Sequence, residues 1–393
     1  MTDERLWQIY LALRARLGVD LFLSDNSLRD RLWAEAEKEL QFIESKELQQ
    51  PELPPLSQEI LDIKDVFDGW LTQYWPALTA RSLAGGTDVR KLYELEYAMA
   101  GLVDMCEAVG YAFYVGKALE LMENAISTFP WLRSGTGDRW LLEDIKATRS
   151  WGKVCWVAET VYGMDVSHIK TFLDTHILKF WLDNPLWGYP SGEEWMRTSH
   201  KEGAPGAGNG HWHNHQTMCA NLCKYMGLMG YTRWGDLSSY LVGEFLAKKV
   251  VVNGAWLWDI DSLREGDIDS WHTNRNAWWM VDEGIDVSDL VVTFNQNIFD
   301  KYDAQGWPEF NEYIDGSNDC ANCPPAPVQV YGGWNLLGEY DDQALEVCRR
   351  VYERVVNGPY SGLLYSLNSH PDGYRQLMLA SGLARALRRR QLA

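Results

Sequence analysis

A chain of 393 residues is longer than the usual single compact core, yet α/β barrels and helical toroids reach this length as one domain. Its 36 basic and 55 acidic residues leave a net charge of −19, which argues against nucleic acid or an anionic membrane as the main partner. Seven cysteines, an odd number in a chain of this size, do not make a secreted disulfide framework.

The chain opens without the charged leader and apolar segment of a secretory signal, and no apolar run in it is long enough to cross a bilayer. The expected protein is soluble: secreted if a leader has been removed, otherwise cytoplasmic. Apolar residues recur at helical spacing over 3–17, 27–47, 57–80, 91–127, 139–162, 166–182, 212–230, 234–250, 277–300, 342–356 and 373–390. Leu92, Leu95, Met99, Leu102, Met105, Cys106 and Val109 make the clearest stripe. Strict alternation appears only briefly, as in Val328–Tyr331 and Leu363–Leu367, so strands are minor.

The connectors 84–88, 135–138, Asn184-Pro185 and 324–327 carry turn residues, and none is long or polar enough for an interdomain linker. About eleven or twelve helices joined by turns predict an all-α fold. The expected architecture is an α/α toroid, an incomplete barrel of antiparallel helical hairpins, forming a single domain over 1–393. No fixed repeat period marks a regular solenoid.

Twenty Trp and nineteen Tyr are the second compositional signal. Trp140, Trp151 and Trp181 fall on helical stripes and read as core. The loop tryptophans differ. Trp187 in Trp-Gly-Tyr-Pro, Trp256 and Trp258 in Trp-Leu-Trp, and Trp307 before Pro308 offer flat faces of the kind on which sugar rings stack.

The stretch 203–223 brings glycines at 203, 206, 208 and 210 into His211, Trp212, His213, Asn214 and His215. The glycines exclude a helix interior, and no Gly-Lys-Ser/Thr follows them, so this is not a P-loop. From about Trp212 a stripe through Met218, Leu222, Tyr225 and Met229 resumes, which puts the histidines at a helix N-terminus. Unpaired N–H groups and the positive dipole end would favour a docked carboxylate there. Three uses compete: proton transfer, satisfied polar residues at a helix start, and a structural zinc. The zinc would sit on His211, His215 and Cys219, completed by Cys223 or by Cys320 and Cys323, although the spacing matches no strong zinc signature. No cofactor is otherwise implied.

Asn214-His215, followed by Gly230-Tyr231-Thr232-Arg233-Trp234, resembles the Asn-Asn-His helix of alginate-lyase-like polysaccharide lyases. The order of later residues agrees: Gly254, then acidic residues and Arg264, then 270–277, ending in Ala277. His213 stands where the family has its first Asn, and Trp271 or His272 where it has a Tyr. The resemblance covers about 205–300 and implies an α/α barrel that cleaves uronate polymers by β-elimination.

Such chemistry needs the uronate carboxylate neutralised, a base for the α-proton and an acid for the leaving oxygen. Asn214 and Arg264 suit the first task and His215, whose pKa starts near neutrality, the second. His272 or Tyr331 suits the third. His211, Trp212, His213, Arg275, Trp187 and Trp258 are the expected substrate contacts.

Arg264 also lies among Asp259, Asp261, Asp267 and Asp269 and would equally pair with them in a polar loop. Those aspartates suit a Ca2+ site or a glycosidase acid pair as alternatives. Arg385 and Arg388-Arg389-Arg390 read as a complement to a helix C-terminus. The function expected is a lyase acting on an anionic polysaccharide or oligosaccharide. Sugar epimerase, glycoside hydrolase and a carbohydrate-binding or zinc-stabilised helical protein are the alternatives. Oligomeric state is not encoded in any recognisable pattern.

Overall fold

The computed structural model describes residues 54–86, 89–132, 137–183, 213–247, 279–293, 336–357 and 374–393, with short pieces at 34, 37–38, 250–252, 255–257, 295, 301–302 and 308–309. Packing divides the chain into two compact units, 1–55 with 161–163 and 56–160 with 164–393. In the first unit Ala34, Glu37 and Lys38 are helical.

The second unit is mostly helical. Its helices are α1 (Gln58–Ser82), α2 (Val89–Glu94), α3 (Glu96–Val109), α4 (Ala112–Ser127), α5 (Leu141–Thr160) and α6 (Ser167–Phe172). A π-helical stretch (Leu173–Leu178) leads into α7 (Lys179–Leu182), followed by α8 (His213–Leu228), α9 (Thr232–Ala247), α10 (Ser288–Thr293), α11 (Asp342–Asn357) and α12 (Tyr374–Leu392). Antiparallel pairs β1 (Val250–Val252) with β2 (Ala255–Leu257), and β3 (Lys301–Tyr302) with β4 (Pro308–Glu309), supply the strand content among the described residues.

Periodicity anticipated the helices better than their breaks. The stripe over 91–127 is three helices. Gly110 ends α3 in the left-handed region at φ 76, where its N–H donates to the Cys106 carbonyl at 2.7 Å, a cap that glycine adopts without a Cβ penalty. The segment 277–300 breaks at Gly284, φ 72, and restarts where Asp286 Oδ1 accepts from the Ser288 N–H at 3.0 Å. The expected helix over 234–250 stops at Ala247, and Trp256, expected in a loop, stands in β2 opposite Val251. The alternating segments 328–331 and 363–367, and the expected helices 3–17 and most of 27–47, lie outside the described residues.

The core forms where helices meet in series, α12 on α3, α3 on α5, α5 on α8 and α8 on α9. Small residues set the closest approaches. A Cβ on Gly101 of α3 would stand 3.0 Å from the Leu377 and Met378 backbone of α12, and one on Gly152 of α5 would stand 3.1 Å from Leu222 and Tyr225 of α8. Contacts also give helix direction. Glu96 pairs with Arg149 while Asp104 pairs with Lys153, so α3 and α5 run parallel. In contrast, Gly227 approaches Gly235 while Ser238 donates to the Ala220 carbonyl, so α8 and α9 form an antiparallel hairpin.

Tryptophan fills this core as expected for Trp151 and Trp181, whereas Trp140 is half-buried just before α5. Three buried rings place the indole N–H on a defined acceptor. Trp131 Nε1 donates to the Ala125 carbonyl at 2.9 Å, Trp181 Nε1 to Asp144 at 2.8 Å and Trp234 Nε1 to Asp174 at 2.8 Å.

Candidate functional site

The predicted catalytic step Asn214-His215 sits on described backbone. α8 begins at His213, which places His213, Asn214 and His215 in its first turn, where backbone N–H groups have no acceptor within the helix. Their side chains lie outside the described residues. So do His211, Trp212, Arg264, His272, Tyr331, Arg275, Trp187 and Trp258, with Cys320 and Cys323.

The body of α8 is fixed by the core. Met218, Cys219, Leu222, Cys223 and Met226 are buried, so the helix cannot rotate its first turn independently of the packing behind it. Burial pushes the Cys219 and Cys223 thiols well above their ordinary pKa, which keeps both protonated. A zinc on this face would first have to overcome that cost. Cys106, Cys155 and Cys348 are also buried thiols outside any disulfide.

At the other end of α8 the structure assembles a group of residues that the sequence reading had not connected. Helix α5 is buried along almost its whole length although it carries Glu143, Asp144, Lys146, Arg149 and Lys153. Lys153 Nζ lies 3.1 Å from Asp104 Oδ1, 2.9 Å from Glu107 Oε2 and 2.6 Å from Asp282 Oδ1. Arg385 reaches the same carboxylates from α12, with Nη1 2.8 Å from Asp104 Oδ1 and 3.4 Å from Glu107 Oε2. The helix-dipole role expected for Arg385 is therefore wrong: it is a buried ion-pair partner, 3% exposed.

Asp282 links three helices. Its Oδ2 accepts from Tyr225 Oη at 2.6 Å and from Asn221 Nδ2 at 3.0 Å, and Lys224 Nζ donates to its backbone carbonyl at 2.7 Å. Burial opposes ionisation of Asp282, but Lys153, Arg385 and Lys224 outweigh it and hold the carboxyl well below the usual carboxylate range. For Lys153, burial and the Arg385 charge work against protonation, and Asp282, Glu107 and Asp104 together reverse the balance, raising its pKa. Tyr225 is pushed up by burial and then by the Asp282 charge, so its hydroxyl stays a donor.

This network backs an open pocket of ≈ 330 Å³. Glu107, Asp282, Arg385, Lys224, Glu283 and Glu339 line it, and Leu228 and Tyr340, also in the lining, stand 56% and 53% exposed. Burial, then the Asp282 charge, lifts the Glu283 carboxyl to about 7 against the pull of Lys224, which is 3.4 Å away. Glu339 is raised too, first by burial, with Arg385 opposing; its Oε1 is 3.1 Å from Arg385 Nε without hydrogen-bond alignment.

The pocket and the Asn214-His215 step are separated along α8. Tyr225 lies ten positions after His215, about 15 Å along the helix at ~1.5 Å per residue. Periodicity gave no access to the pocket, because its residues come from α3, α5, α8, the helical residues 279–283 with Gly284, the 3-10 turn Leu337–Glu339 with Tyr340 after it, and α12. The usable signal was local: lysine and arginine at 146, 149 and 153 share one helix face with strongly apolar neighbours, so those charges needed buried partners.

Among the described residues no group of three or more His, Cys, Asp or Glu is arranged to hold a metal ion, and no helix is long and apolar enough to cross a membrane. In comparison with known proteins, the chain matches no family model, no curated protein and no solved structure.

Proposed function

We propose that this chain is a polysaccharide lyase that cleaves a uronic-acid polymer of the alginate or glucuronan type by β-elimination, built on an α/α toroid. The observation that carries the reading is the start of α8 at His213. It puts Asn214 and His215 where free backbone N–H groups and the positive end of the helix dipole favour a bound carboxylate. The same positive end favours a neutral, proton-accepting histidine, as the base requires. The toroid draws support from α3 and α5, which run parallel as inner helices of such a ring do, and from the α8–α9 hairpin.

In this reading Asn214 and Arg264 neutralise the uronate carboxylate, His215 takes the α-proton, and His272 or Tyr331 protonates the leaving oxygen. His211, Trp212, His213, Arg275, Trp187 and Trp258 line the polymer. The test is incubation with a panel of polyuronates. Ultraviolet absorbance of the conjugated unsaturated product should appear, and His215→Ala should abolish it while the helical circular dichroism persists. Silence across the panel overturns the proposal, and new reducing ends without that absorbance replace it with a hydrolase.

A further inference from the structure

We draw no further inference here: the strongest candidate, the open pocket beside Asp282 at the C-terminal end of α8, has its charged lining groups already matched to one another, Lys224 with Glu283 and Arg385 with Glu339, and nothing in the structure shows what fills it.

Discussion

Lys153 Nζ stands 2.6 Å from Asp282 Oδ1, and the opposite oxygen of that carboxylate accepts from Tyr225 at 2.6 Å. One buried aspartate thereby ties α5 to α8 through residues that lie 129 and 57 positions from it in sequence. Removing one member of a buried ion pair leaves the other charged and unpaired, at a cost of about 3–5 kcal/mol. Lys153→Met is expected to lower unfolding free energy by that order in urea denaturation. Lys153→Met combined with Asp282→Asn should cost less than the sum of the single changes, because the pair is then removed together. Full additivity would show that the two do not interact.

Glu283 gives stability a pH dependence of unusual sign. Its folded-state value of about 7 lies above the roughly 4.3 of an unfolded glutamate, so between these values the folded state binds more protons. Its contribution therefore falls as pH rises from about 4.5 to about 7 and is level above, an effect of up to ~3 kcal/mol. Asp282 works the other way. Its carboxyl is lowered, so its contribution is present above the unfolded aspartate value and is lost as pH falls below it. The difference in unfolding free energy between wild type and Glu283→Gln, measured from pH 5 to 8, isolates the first effect. A flat difference would refute it.

Asp144 is a second buried hub. Its Oδ2 accepts from Arg139 Nε at 3.0 Å, Arg139 Nη2 at 2.6 Å and Trp181 Nε1 at 2.8 Å, with the guanidinium 3.7 Å from the Phe180 ring centroid. Asp144→Ala removes the carboxylate from buried Arg139, leaving it the His176 carbonyl, and should cost about 3–5 kcal/mol. Trp181→Phe, which removes one donor and some apolar area, should cost about 1–3 kcal/mol. Thermal unfolding of the two variants checks both the order and the gap.

The α8–α9 hairpin depends on two glycines. A Cβ on Gly227 would lie 2.6 Å from Gly235 Cα, a backbone atom that cannot swing aside. Gly227→Ala should destabilise the protein by about 1–3 kcal/mol through forced separation of the helices. Gly243→Ala, where nothing lies within 4 Å of the added carbon, is the matched control and should be neutral or slightly stabilising.

Helix class was legible because burial of one face leaves a period that any stretch of sequence carries on its own. The stripe Leu92 to Val109 and the Met218 to Met229 run both appear as helices near the expected limits. The breaks were less legible, since Gly110 and Gly284 matter only through the backbone angle they adopt. The β1–β2 hairpin had a local signal that helical texture masked: Asn253-Gly254 between two valine- and tryptophan-bearing runs is a strong hairpin pattern.

For the site, sequence alone determined the residue types and the helix on which Asn214 and His215 begin, because capping and periodicity act over a few neighbouring positions. Tertiary structure alone decided that Asp104, Lys153, Asp282 and Arg385, spread over 281 positions, share one buried network. It also converted Arg385 from an apparent helix-end cation into a core ion-pair partner. Charge pairing at 3 Å depends on where helices cross. That crossing is set by side-chain volume and by glycines such as Gly101 and Gly152, whose effect appears only when two distant helices meet.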